Sequence, residues 1–157
     1  MVDPKLHSVT AAAIIRREDG RILLLKRADH EKVYPGMYAG PGGKVEGNDT
    51  IVETVMREVH EECGLEVEPE MLIIKEKAIL RKDGRTSKAL SVLCKPKTTE
   101  PVILESGNFT DYKWVNREEL RQIPHVGLEP EFIKVQKIFE LHKDISTFYI
   151  DTEKVVL

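Results

Sequence analysis

The stretch from Gly40 to Leu65 constrains this chain more than any other. A tight loop, Gly40-Pro41-Gly42-Gly43, leads into an acidic segment that ends Glu58-Val59-His60-Glu61-Glu62-Cys63-Gly64-Leu65. Stepping about 100° per residue from Val52, the side chains of Val55, Met56, Val59 and Cys63 stay in one stripe. Such a stripe must be buried, so the helix is expected to lie on a sheet. Glu58, Glu61 and Glu62 fall at i, i+3 and i+4, on one flank of that stripe. Thr50 and Glu53 form a capping box at the entrance, and Gly64 suits a left-handed stop. Three like charges on one flank repel by a few tenths of a kcal/mol, roughly, per pair. The flank is therefore more stable with a cation. Carboxylate oxygens are hard ligands suited to Mg²⁺, which also binds substrate phosphates. A glycine loop beside them lets backbone and ligand approach closely. These features point to metal-dependent chemistry on a phosphate ester or anhydride.

The pattern of these residues resembles the Nudix box: Gly, five residues, Glu, seven residues, Arg-Glu-aliphatic-any-Glu-Glu-any-Gly-aliphatic. Gly43, Arg57, Glu58, Val59, Glu61, Glu62, Gly64 and Leu65 match it, so the box spans residues 43–65. The departure is Asp49, where the family has Glu. That acid commonly pairs with the box arginine, and the shorter Asp49 is expected to reach Arg57 less easily. Flanking sequence agrees with the resemblance. Met37 to Glu46 looks like the usual approach to the box, and Tyr112-Lys113-Trp114-Val115 looks like the usual late strand. A solvated acidic helix is the ordinary meaning of a charge run. Here the glycine entry, the arginine and the Gly-Leu exit are all in register.

The resemblance implies an α/β/α sandwich with a mixed sheet, formed by one domain over residues 1–157. It implies metal ligands Glu58, Glu61 and Glu62 and the Gly43 carbonyl, with Mg²⁺ as cofactor and Mn²⁺ as a substitute. Glu46, in the approach loop, binds metal or braces the loop. Glu105 and Asp111 are the candidates for an acid outside the box that completes the metal shell or serves as base. Glu58 is the first choice of general base by analogy, and Arg57 orients the glutamates through charge-assisted hydrogen bonds. The family's substrates are nucleoside diphosphates linked to a further group. Ala78-Ile79-Leu80-Arg81-Lys82 lacks the proline common in members acting on ADP-sugars and the tyrosine common in those acting on dinucleoside polyphosphates. That favours a nucleoside triphosphate cleaved to monophosphate and pyrophosphate. Hydrolysis of ADP-ribose, nucleotide sugars or dinucleoside polyphosphates is the alternative, and a non-catalytic nucleotide sensor a third.

Substrate-binding candidates are Arg27 and Lys44 for phosphates, with Arg16 and Lys26 also basic and near strand ends, and Tyr34 and Tyr38 for stacking on a base. Phe109 and Tyr112 are further aromatics of the same kind. His60 and His125 read as surface residues. With 157 residues the chain can bury a proper core. A net charge of −3 does not advertise nucleic-acid binding. No apolar run is long enough for a membrane span, and Met1-Val2-Asp3-Pro4 does not open a signal sequence. The expected partner is a small nucleotide, with a homodimer an open option and the cytoplasm the expected compartment. The 2 cysteines, Cys63 and Cys94, lack a metal-site spacing and read as reduced thiols.

Elsewhere the pattern predicts a strand over Val9–Arg16, a hairpin turn at Asp19-Gly20, and a returning strand over Ile22–Lys26. A long loop, 28–49, is of a length that is usually functional. Met71–Leu80 and Ser87–Cys94 flank a second hairpin at Lys82-Asp83-Gly84-Arg85. A polar connection over 96–110 precedes a strand over Asp111–Val115. Asn116 and Glu119 cap a short helix through Ile123. Glu129-Pro130 opens a last helix with Phe132, Val135, Ile138, Phe139 and Leu141 or His142 recurring, and Phe148–Asp151 reads as a terminal strand.

Overall fold

The computed structural model describes residues 6–80, 84, 86–98, 100–101 and 107–141. The elements run β1 (Leu6–Ile15), β2 (Ile22–Arg27), β3 (Tyr38–Ala39), β4 (Gly42–Lys44), α1 (Ile51–Cys63), β5 (Val67–Leu80), β6 (Thr86–Pro96), β7 (Phe109–Val115), α2 (Arg117–Leu120) and α3 (Glu129–Leu141). Four strands form a mixed sheet in the order β4-β1-β6-β5, with β1 parallel to β6 and the other pairs antiparallel. A second, antiparallel sheet has the order β3-β2-β7.

Alternate residues of the central strands enter two separate cores. Ala11, Ala13, Ile15, Leu23, Leu25, Val92 and Cys94 pack with Val55, Val59 and Cys63 of α1. Ile14, Ile22, Leu24 and Leu93 point the other way, onto Leu120 of α2 and Phe132 and Val135 of α3. Strands covered on both faces read as continuous apolar runs, which is why Ala11–Ile15 and Ile22–Leu25 show no polar alternation. Helices on both sides of a sheet layer give the α/β/α arrangement expected from sequence.

The first hairpin departs from expectation. Its turn forms, with Gly20 N–H donating to the Arg17 carbonyl at 3.0 Å and Arg17 N–H to the Arg21 carbonyl at 2.8 Å. Beyond the turn, β1 and β2 meet only at the Arg16–Ile22 bridge. They then part into different sheets, because β1 has β6 and β4 to pair with and β2 has β7 and β3. Asn116 and Glu119 form the expected capping box, but α2 ends at Leu120 and gives way to single turns as far as Ile123. Met56, assigned to the buried stripe of α1, is 41% exposed. Leu141 is also exposed, and His142, the other residue offered for the end of the α3 stripe, lies outside the described residues. β5 and β6 pair as expected up to Leu80 and Thr86. The turn at 81–85, apart from Gly84, and the strand at 148–151 lie outside the described residues.

Candidate active site

The box helix begins and ends as its sequence requires. The Thr50 hydroxyl accepts from Glu53 N–H at 3.1 Å, and the Glu53 carboxylate accepts from Thr50 N–H at 2.8 Å. At the other end Gly64 takes φ 67° and donates to the His60 carbonyl. With the ends fixed and Val55, Val59 and Cys63 fully buried, the rotation of α1 about its axis is set. The three acids are then graded by their distance from the apolar stripe. Glu62 is 4% exposed, the Glu58 side chain 15%, and the Glu61 side chain 48%.

The glycine loop closes on this flank. Gly42 N–H donates to Glu62 Oε2 at 3.1 Å. Gly43 lies so near Glu58 that a β-carbon there would sit 2.5 Å from the carboxyl carbon. A β-carbon on Gly42 would meet the Ala11–Ala12 backbone, with Ala12 Cα at 2.6 Å. The two glycines thus allow β4 to lie between β1 and α1. Ala13 N–H donates to the Pro41 carbonyl and Val45 N–H to the Val9 carbonyl. That register makes Ala11 and Gly43 a mutually hydrogen-bonded pair. The Gly43 carbonyl therefore accepts one ladder bond and keeps a second lone pair.

Arg57 gathers the acids. Its Nη1 donates to Glu58 Oε1 at 2.9 Å and to Glu61 Oε2 at 3.4 Å, and its Nε donates to Asp49 Oδ2 at 3.2 Å. Asp49 reaches Arg57 despite its shorter side chain, contrary to expectation, because the loop after Lys44 brings it alongside the helix. It meets only one edge of the guanidinium. Nη2 is buried without a hydrogen-bond partner among the described residues. Burial pulls the Arg57 pKa down, but the hydrogen bonds to Glu58 and Asp49 and the charges of Glu58 and Glu61 outweigh it and leave the pKa raised.

The outlying candidates are dispersed. Glu46 is exposed, and its carbonyl holds the turn to Asp49. Glu105 lies outside the described residues. Asp111 accepts from the Tyr38 hydroxyl at 2.8 Å. Tyr38 belongs to the α3-side core, whereas Tyr112 and Trp114 pack on the α1-side core. Asp111 therefore faces away from the box acids and does not complete their shell. The Tyr38 ring is itself 4% exposed, a core group whose geometry does not fit stacking on a base. Phe109 is likewise buried, in the α1-side core.

Tyr34 is half exposed at φ 50° in the loop after β2. Arg27 is engaged by that same loop, donating to the Val33 carbonyl at 2.7 Å and to Glu31 at 3.2 Å. Lys44 is exposed at the end of β4, and Lys26 pairs opposite Asp111. Arg16 stacks over Phe139 of α3, on the far side of the sheet layer. His60 is exposed as expected. His125 is half-buried, and its Nδ1 accepts from Gly127 and Leu128 N–H. The sequence reading missed the Gly42–Glu62 bond, although the Gly-Gly pair was the signal for it.

The NUDIX domain family model matches residues 6–136 of the chain. The chain belongs to the Nudix hydrolase family. It is 35% identical over 119 residues to a MutT-like protein of Streptomyces ambofaciens, covering 76% of this chain and 70% of that protein. It is 34% identical over 113 residues to the nucleoside triphosphatase NudI of Escherichia coli, covering 66% of this chain and 79% of that one. The crystal structure of a MutT NUDIX hydrolase from Burkholderia pseudomallei superposes with a TM-score of 0.69 at 27% identity, over 83% of this chain and 97% of that one. This Nudix hydrolase is a pyrophosphohydrolase, and enzymes of the family generally use divalent metal ions. Among its described residues no three His, Cys, Asp or Glu side chains are grouped to hold a metal ion. The box acids are instead turned towards Arg57 and Gly42. Their chemistry still fits such an ion, since all three offer hard oxygens on one flank beside loop backbone. No helix among the described residues is long and apolar enough to cross a membrane.

Proposed function

We propose that this enzyme hydrolyses a nucleoside triphosphate to a nucleoside monophosphate and pyrophosphate, with Mg²⁺ as cofactor and Mn²⁺ as a substitute. The observation that carries the reading is the seating of the box acids against the glycine loop, with Glu62 on Gly42 N–H and Glu58 on Gly43. The name of the nucleoside triphosphatase NudI, a relative of this chain, supports the triphosphate as substrate.

Glu58, Glu61 and Glu62 would hold the metal, with the Gly43 carbonyl as a further oxygen donor. When bound, Mg²⁺ neutralises phosphate oxygens as a Lewis acid. Glu58 is the general base, accepting a proton from the attacking water. Arg57 spreads its positive charge over Glu58 and Glu61 and fixes where their carboxylates stand. Rigid placement of base and charge is what lets such a site act on phosphorus with no covalent step. Glu62, held by a backbone donor and nearly buried, anchors the cluster. Lys44 at the end of β4 is the phosphate-side cation we favour, because Arg27 is occupied by its own loop.

A panel of nucleoside triphosphates, ADP-ribose and dinucleoside tetraphosphate, assayed with Mg²⁺ for each product, tests the reading. A triphosphate is expected to turn over fastest, and chelation of the metal to abolish turnover. Faster hydrolysis of ADP-ribose or the dinucleoside would assign the enzyme to another substrate branch. No turnover of any of them would contradict the reading.

A further inference from the structure

A cavity of about 440 Å³ opens on the α3 side of the sheet layer. It lies between the β1–β2 turn, the start of α2 and the exposed side of α3. Its volume is within the roughly 300–1,000 Å³ typical of small-molecule sites. Ile22, Phe132 and Val135 line it with apolar surface and are at most 7% exposed, so its floor is part of the packed core.

Arg16 stands at the wall with its guanidinium 3.6 Å from the centroid of the Phe139 ring. A guanidinium stacked on a ring presents its N–H edge sideways. No hydrogen bond or ion pair reaches that guanidinium among the described residues, and Glu70 and Asp19 act on it only as nearby charges. The other charged groups on the lining are committed or acidic. Asp19 is bonded by Arg17 and Arg21, and Arg117 by Glu129. Glu118 and Glu140 add negative charge at the rim. One available planar cation among acids suits a monoanion and disfavours a dianion. A carboxylate matches the guanidinium fork with two parallel hydrogen bonds, while an apolar body would fill the cavity beside Phe132 and Phe139.

We propose that this cavity binds a small monocarboxylate with an aromatic or branched apolar body, with Arg16 pairing with the carboxylate. The site lies across the sheet from Glu58, Glu61 and Glu62, so its occupant is distinct from the nucleotide.

The test is NMR titration of the full chain with phenylacetate, phenylacetamide and inorganic phosphate, following the Ile22 and Val135 methyls and Arg16 Nε. Phenylacetate should shift all three saturably, and both other probes should bind at least about tenfold more weakly, since each lacks the carboxylate or the apolar body. Arg16→Gln should weaken phenylacetate by a similar factor and leave nucleotide hydrolysis unchanged. The comparison of probes needs no variant, so it decides the matter even where Arg16→Gln does not fold. No saturable shift, equal binding of the amide, phosphate binding as tight as phenylacetate, or shifts confined to the box residues would each overturn the proposal.

Discussion

Glu62 carries the least exposed charge of the box, and the Gly42 N–H of the glycine loop donates to it. Glu62→Gln keeps the shape and an acceptor for Gly42 while removing the charge. The fold should survive and kcat should fall on the order of 10²-fold or more, the usual scale for losing a main electrostatic stabiliser. Steady-state kinetics at saturating Mg²⁺ check it, and full activity would remove Glu62 from the ligand set. The Arg57–Asp49 contact makes a second prediction. Asp49 satisfies Nε, but Nη2 has no hydrogen-bond partner among the described residues. The longer Asp49→Glu side chain should reach both edges and stabilise the protein by at most about 1 kcal/mol, given the part-exposed setting. A urea-denaturation midpoint no higher than that of the unaltered protein would contradict it. The spacing of the box made the identity of these residues legible. Whether Asp49 reached Arg57 was not, because that depends on the path of the loop after Lys44.

At the scale of elements, α1 is where sequence and structure agree most closely. Its N-cap, its C-cap and the burial of Val55, Val59 and Cys63 depend on residues within one helix, so local pattern determines them. Thr50→Ala should cost about 1 kcal/mol by removing one half of the capping box, measurable in the same denaturation experiment. An unchanged midpoint would mean that the tertiary contacts alone hold the helix entrance. The strands were harder to read. Which way Asp111 points is set by the register of β7 on β2, which shifts between Lys26 and Arg27, and which way Tyr38 points by its pairing with Lys26 on the other edge of β2. No local signal in the sequence announces that shift. The parting of β1 and β2 after their turn was hidden for the same kind of reason, since the partners that separate them are remote in sequence.

Over the whole molecule, two cores share one layer of strands, and ion pairs join the β1–β2 turn to α2 and α2 to α3. Asp19 is held well below the usual carboxylate range, first by the Arg17 hydrogen bond. Glu119 is lowered mainly by the Asn116 backbone and Glu129 mainly by Arg121. A carboxylate with a depressed folded pKa stabilises the fold above its unfolded value of about 4 to 4.5, and loses that contribution as pH falls through the folded value. The melting temperature should therefore decline below about pH 4.5, and Glu129→Gln should make the decline shallower. A melting temperature flat down to pH 3 would contradict this. The three-layer fold was legible through the resemblance of residues 43–65 to the Nudix box, whereas the pattern of strands and helices by itself indicated only an α/β mix. The cavity beside Arg16 was not, because its walls come from the β1–β2 turn, α2 and α3. The central claim, cleavage of a triphosphate by water aimed beside the box acids, is tested most directly by running the reaction in ¹⁸O-water with Mg²⁺ and weighing the products. Metal-neutralised outer phosphates should leave as one unit, so the account predicts label in the nucleoside monophosphate and intact, unlabelled pyrophosphate. Orthophosphate as the first product, with a nucleoside diphosphate left behind, would contradict it.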